Sequence, residues 1–203
     1  MENPFNIVET FEKQVAEYTG APYAVATDCC THALYMSLYH EKNFNGLTKV
    51  SIPERTYVSV PMQVKHSGVL LEFEDYEWSG AYQLKGSRIV DSAARFTKGC
   101  YTPGTLTCLS FQYKKILSTI RGGMILTDDV EFYEWAKLAV HDGRDMSIPY
   151  KNDEPMFLGF HYFMTPETAQ LGIDGLAKLP TENKDCANSN TYSSVLYVTD
   201  LQV

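Results

Sequence analysis

Residues 110–129 read SFQYKKILSTIRGGMILTDD. Two adjacent lysines and a double glycine here interrupt apolar runs, TLTCLSF at 105–111 and GMILTDD at 123–129. Both runs are short and rich in β-branched and apolar residues, so the sequence predicts two buried strands joined by a loop. Lys114 and Lys115 then stand beside a strand end. Either they are solvated loop charges, or one is an amine held in a dry pocket.

Working outward, the same alternation repeats. NIVETFEKQVAEYTG (6–20) carries Ile7, Val8, Phe11, Val15 and Tyr18 as a helical stripe that stops at Gly20. YAVAT (23–27), TKVSIPE (48–54), VLLEFE (69–74) and SRIVDSAA (87–94) read as strands. CCTHALYMSLYHEKN (29–43) and DVEFYEWAKLAVHDG (129–143) read as helices, the second with Phe132, Trp135, Leu138 and Ala139 inward. TYVSVPMQVKHSG (56–68) is expected to be a short helix interrupted by Pro61, and residues 75–86 a turn-rich join. In TPETAQLGIDGLAKL (165–179), Thr165 suits the N-cap, Pro166 the first turn, and Leu171, Leu176 and Leu179 the apolar face. Strands alternating with helices predict an α/β sheet covered on both faces.

Bulk properties narrow the function. A chain of 203 residues fits one domain, with or without a small appendage. A net charge of -8 argues against a general nucleic-acid or anionic-membrane surface. The sequence has no run of 18 apolar residues and no signal-peptide character at its start. Five cysteines without a CxxC pair fit reduced thiols in a cytoplasmic setting. No zinc is expected, because the five histidines and five cysteines form no ligand cluster in the sequence.

In an open α/β sheet, ligands gather at the carboxyl ends of strands. Three stretches fall there. ATDCCTHAL (26–34) runs from a strand into a helix start, where backbone N–H groups suit an anion, although Asp28 or Thr31 would also serve as a plain helix cap. VDSAA (90–94) sets Asp91 after an apolar strand, where a turn cap is the ordinary alternative. SFQYKK (110–115) brings the lysine pair and Ser110. An anion cup, a carboxylate and an amine are what pyridoxal phosphate requires for its phosphate, ring nitrogen and aldehyde.

The ordered series of segments resembles the DegT/DnrJ/EryC1/StrS family of fold-type-I sugar aminotransferases. FEKQVAEYTGAPYAVATDCCTHAL is similar to that family's opening helix, strand and Ser-Gly-Thr turn, and IPERTYVSVPMQVKHSG to its Pro-x-x-Thr-aromatic segment. IVDSAARF resembles the Asp-x-Ala stretch, and residues 110–129 the Ser-Phe-x-x-x-Lys block with its Gly-Gly strand. LAVHDG and LGFHYFMTPETAQLGIDGLAKL resemble the closing motifs. The resemblance implies a three-layer α/β/α sandwich with a mostly parallel central sheet, the aspartate-aminotransferase-like large domain. It spans residues 1–180, with 181–203 a remnant or tail and the small domain largely absent.

Residue by residue, the resemblance makes Lys115 the cofactor-bonding lysine and leaves Lys114 outside that role. It sets Asp91 on the pyridine nitrogen, Tyr57 on the ring face, and Ser110, Thr31 and the backbone at Cys30 on the phosphate. His161 takes a position that reaches the partner's cofactor in a homodimer with active sites at the interface. The implied reaction moves an amino group from an amino acid, glutamate for example, to a keto sugar carried on a nucleotide. Retention of Lys115 counts against the family's dehydratases, which carry histidine there. Four departures stand out: Cys29-Cys30 for Ser-Gly, Ala94 for Gln or His, Arg121 for Glu, and Phe163 for Arg. The crossover before SRIVDSAA is also short. The Cys-Cys turn, Ala94 and the largely absent small domain support an alternative, a non-catalytic homodimer that keeps the fold as a binding or regulatory module.

Overall fold

The structure, a computed structural model, describes residues 3–201. Its strands are β1 (Tyr23–Thr27), β2 (Lys49–Pro53), β3 (Leu70–Glu74), β4 (Tyr82–Gln83), β5 (Ile89–Asp91), β6 (Leu106–Ser110) and β7 (Gly123–Thr127). Its helices are α1 (Asn6–Thr19), α2 (Cys30–Asn45), α3 (Ser59–Ser67), α4 (Val130–Ala139) and α5 (Pro166–Leu176). The main sheet has the order β1-β7-β6-β5-β4, and β2 pairs in parallel with β3. Reciprocal backbone bonds between Ser51 and Lys85 join the two sheets.

Strand alternation explains the layering. On β7, Ile125 faces one core while Met124 and Leu126 face the other. On β1, Val25 goes one way and Ala24 and Ala26 the other; on β6, Leu106 and Cys108 oppose Leu109. One face is covered by α2, α3 and α4 through residues such as Leu34, Val60 and Phe132. The opposite face is covered by α1 and α5 through Val8, Phe11, Val15 and Ala169. This is a three-layer α/β/α sandwich. Both faces of the central strands are dry, which is why β7 is buried throughout its length.

The sheet is mixed. β5 and β6 are parallel, whereas β7 runs against both β1 and β6, and β4 runs against β5. The β4–β5 reversal has a local cause: between β3 and β5 the chain is too short for a helical crossover, so it turns back as a hairpin.

Two local expectations change. Pro61 does not interrupt α3, because it lies in the first turn, where no intrahelical N–H is required. Thr165 does cap α5, accepting from the Thr168 N–H, but Leu171 is exposed. Ala169 and Gly172 are the buried residues of that helix, since a Cβ at 172 would collide with the Phe11 ring that packs there. The segment after residue 180 folds back on the domain: the Cys186 N–H donates to the Ala94 carbonyl and the Val195 N–H to that of Glu54.

Candidate active site

The strand ends that the sequence singles out surround one cavity of about 470 Å³, within the usual range for small-molecule sites. Cys30, Thr31, Tyr57, Asp91, Ser110 and Lys115 all line it. His161 does not. Its ring is exposed, and its Nδ1 lies 2.9 Å from Asp142 Oδ2.

At one end of the cavity, β1 turns into α2. Cys29 is the N-cap, its backbone is extended, and no side chain caps the helix. The plain-cap reading of Asp28 and Thr31 therefore fails: Asp28 pairs with His32 Nδ1 (2.6 Å) and Arg121 (2.8 Å), while Thr31 Oγ1 shares a 2.9 Å hydrogen bond with Ser59 Oγ. The first N–H groups of a 16-residue helix are left to face the cavity. Room for the backbone of this turn comes from the neighbouring strand β7. A Cβ at Gly123 would overlap the backbone of both cysteines, so this glycine lets β7 pass directly beneath the turn.

Asp91 ends β5 and is 5% exposed. Its Oδ1 accepts from the Ala93 N–H at 2.9 Å and its Oδ2 from the Tyr82 hydroxyl at 3.0 Å. Tyr82 in turn shares a 2.5 Å bond with Thr56 Oγ1. Burial pushes the Asp91 carboxyl up, opposed by these two donors and by the Lys115 charge. Burial likewise pushes the Cys30 thiol far up, helped by the charge of Asp91.

Lys115 follows a tight turn closed by its own N–H to the Gln112 carbonyl (2.8 Å), and it is half-buried. Among the described residues nothing forms an ion pair with its Nζ. Lys114 also borders the cavity but is exposed, with its ammonium over the Tyr113 ring. Lys115 is the lysine whose charge acts on Asp91 and Cys30, which separates the two lysines.

Asp28, Cys29 and His32 bring three potential metal-binding atoms within 4.8 Å of one another, a cluster the sequence reading did not expect. Its electrostatics are those of an ion-pair network. Burial pulls the His32 ring down, but hydrogen bonds to Asp28 and Cys29 outweigh it and lift the ring to about 9. His32 is then cationic at neutral pH, and the Arg121 guanidinium lies on the other side of Asp28.

The remaining wall was not legible in the sequence. It consists of Trp78, Gly80, Cys186, Ala187, Thr191 and Tyr192. Tyr82 and Ser59, which hold Asp91 and Thr31, also escaped notice, because neither belongs to a motif.

The model of the DegT/DnrJ/EryC1/StrS aminotransferase family matches residues 3–100 and 98–199. The chain belongs to this family. A curated relative, the spore coat polysaccharide biosynthesis protein SpsC of Bacillus subtilis (strain 168), is 25% identical over an alignment that covers 61% of this chain. This chain spans only 42% of that relative's length. Among solved structures, the sugar aminotransferase CalS13 from Micromonospora echinospora superposes with a TM-score of 0.73 at 15% identity, covering 85% of this chain and 60% of that one. Helicobacter pylori PseC, an aminotransferase involved in pseudoaminic acid biosynthesis, gives 0.69 at 16%, covering 85% and 57%. These two likenesses show the fold.

Membership of the DegT/DnrJ/EryC1/StrS family implies pyridoxal phosphate, and the cavity fits it. An uncapped helix start with nearby hydroxyls suits a phosphate, a buried carboxyl suits a protonated ring nitrogen, and a half-buried lysine suits an aldehyde.

Proposed function

We propose that this protein is a pyridoxal-phosphate-dependent aminotransferase moving an amino group from an amino acid such as glutamate to a keto sugar carried on a nucleotide. It works in the cytoplasm as a homodimer, with residues 1–180 as the cofactor-binding domain and 181–203 as a tail. Residues 1, 2, 202 and 203 of that division lie outside the described residues. The observation that carries the reading is that Lys115 and Asp91 line one cavity with the open N-terminus of α2.

In this reading the cofactor supplies an aldehyde that bonds amines and a ring that accepts the electron pair left by a broken C–H bond. The α2 amides, the Thr31 and Ser110 hydroxyls and the backbone at Cys30 hold the phosphate. Tyr57 covers the ring face. Asp91 keeps a proton on the ring nitrogen, its carboxylate fixed in direction by Tyr82 and Ala93. Lys115 Nζ would hold the cofactor through its aldehyde and, as a free amine, would carry a proton from the donor's Cα to the former aldehyde carbon. His161, exposed on its own protomer, enters the pocket of the second copy.

Ala94 lines the cavity with a methyl group where the family offers a hydrogen-bonding side chain, which favours the non-catalytic module as a second reading. Glutamate decides between them. Protein saturated with pyridoxal phosphate is expected to lose its visible absorption band when glutamate alone is added, as the amino group passes to the cofactor. A band that persists at saturating glutamate would leave the binding module as the function.

A further inference from the structure

Within the segment 185–192, the chain forms a fixed wall of the cavity. Arg95 grips Asp185 with two bonds, Nε to Oδ1 at 2.9 Å and Nη2 to Oδ2 at 2.7 Å. Ser79 Oγ also donates to Asp185 Oδ2 at 2.9 Å. Backbone bonds then follow in order: Cys186 N–H to the Ala94 carbonyl, Gly80 N–H to that of Ala187, and Ser189 N–H to that of Trp78. Gly80, at φ 70°, leaves the space that the Asp185 carboxyl fills, where a Cβ would collide. Ser189 is buried. These directional bonds anchor the segment that leads into Tyr192.

Tyr192 stacks on Trp78, with ring centroids 5.9 Å apart and 23° between planes. It meets Tyr57 edge-on, with centroids 6.4 Å apart. Burial pushes its phenol up, followed by the Asp91 charge, so the ring stands in the field of the same carboxylate that borders the cavity floor. Tyr57 itself is 57% exposed and has no other aromatic neighbour among the described residues. An exposed ring without support samples several rotamers, whereas one packed edge-on by a fixed neighbour loses less entropy when a ligand stacks on it.

We infer that Tyr192 is a positioning residue for the cofactor ring: it packs edge-on against Tyr57 and holds that ring in place, and the Arg95–Asp185 pair anchors the segment that carries Tyr192. This rests on the cofactor reading above. The test uses the whole protein, with pyridoxal phosphate titrated by visible absorbance. Amide exchange at residues 186–189 is followed in parallel without the cofactor.

Tyr192→Ala is expected to weaken cofactor binding about tenfold, while Tyr192→Phe, which keeps the ring, stays within about twofold. Asp185→Asn is expected to speed amide exchange at 186–189 and to weaken binding similarly. Added to Tyr192→Ala it should cost little more, because both act through one ring. Unchanged binding in Tyr192→Ala, or a Tyr192→Phe as weak as the alanine variant, overturns the inference while leaving the cofactor reading intact. A wild-type protein that binds no pyridoxal phosphate overturns the cofactor reading, and this inference with it.

Discussion

Lys115→Ala is expected to abolish covalent attachment of pyridoxal phosphate. After borohydride reduction and denaturation, wild-type protein should carry the label on the peptide containing residue 115, and the variant should carry none. The argument is geometric. Lys114 and Lys115 are neighbours in sequence and both border the cavity, yet Lys115 alone is half-buried and acts electrostatically on Asp91 and Cys30. Lys114 is exposed, with its Nζ over the Tyr113 ring. Lys114→Ala should therefore keep the label. A label that survives in Lys115→Ala, or is lost in Lys114→Ala, means that the two lysines have been assigned the wrong way round.

Gly123→Ala is expected to cost about 3 kcal/mol of stability in urea unfolding. Its Cβ would overlap the backbone of Cys29 and Cys30, and neither partner has room to move: β7 is buried along its whole length, and the turn starts a helix packed on the sheet. The damage should reach cofactor binding as well, since the displaced atoms belong to the turn proposed to hold the phosphate. Gly104→Ala provides the comparison. That glycine has φ 79° but open space around it, so the substitution should cost only the strain of a left-handed backbone, about 1 kcal/mol. Equal losses at the two positions would show that Gly123 serves flexibility rather than close approach.

The sequence carried the parts of the site that obey a repeating rule. Strand alternation and helix stripes indicated a sheet covered on both faces, and the carboxyl-end rule brought together the stretches that hold Thr31, Asp91 and the lysine pair, while the family resemblance singled out Lys115. Elements with no period were invisible. β4 is two residues long, too short for an alternating pattern, so Tyr82 and its bond to Asp91 lay hidden in a turn-rich join. Segment 185–192 has neither stripe nor strand; its position depends on Arg95 and on backbone bonds to residues about a hundred positions away. Leu171 misled for the opposite reason. It fits the helical stripe, but the close seat of Phe11 against Gly172 turns that face so that Leu171 points to solvent. The reason for Gly123 was hidden as well, because the atoms that crowd it belong to Cys29 and Cys30, far off in sequence.

A carboxylate and an amine from different strand ends must meet opposite sides of one small planar molecule if the chemistry proposed here is right. The most direct measurement is a crystal structure of the protein with pyridoxal phosphate bound. It should show Asp91 within hydrogen-bond distance of the pyridine nitrogen and Lys115 Nζ bonded to the aldehyde carbon, with the phosphate at the start of α2. A cofactor found elsewhere, or turned so that its nitrogen faces away from Asp91, would contradict the account.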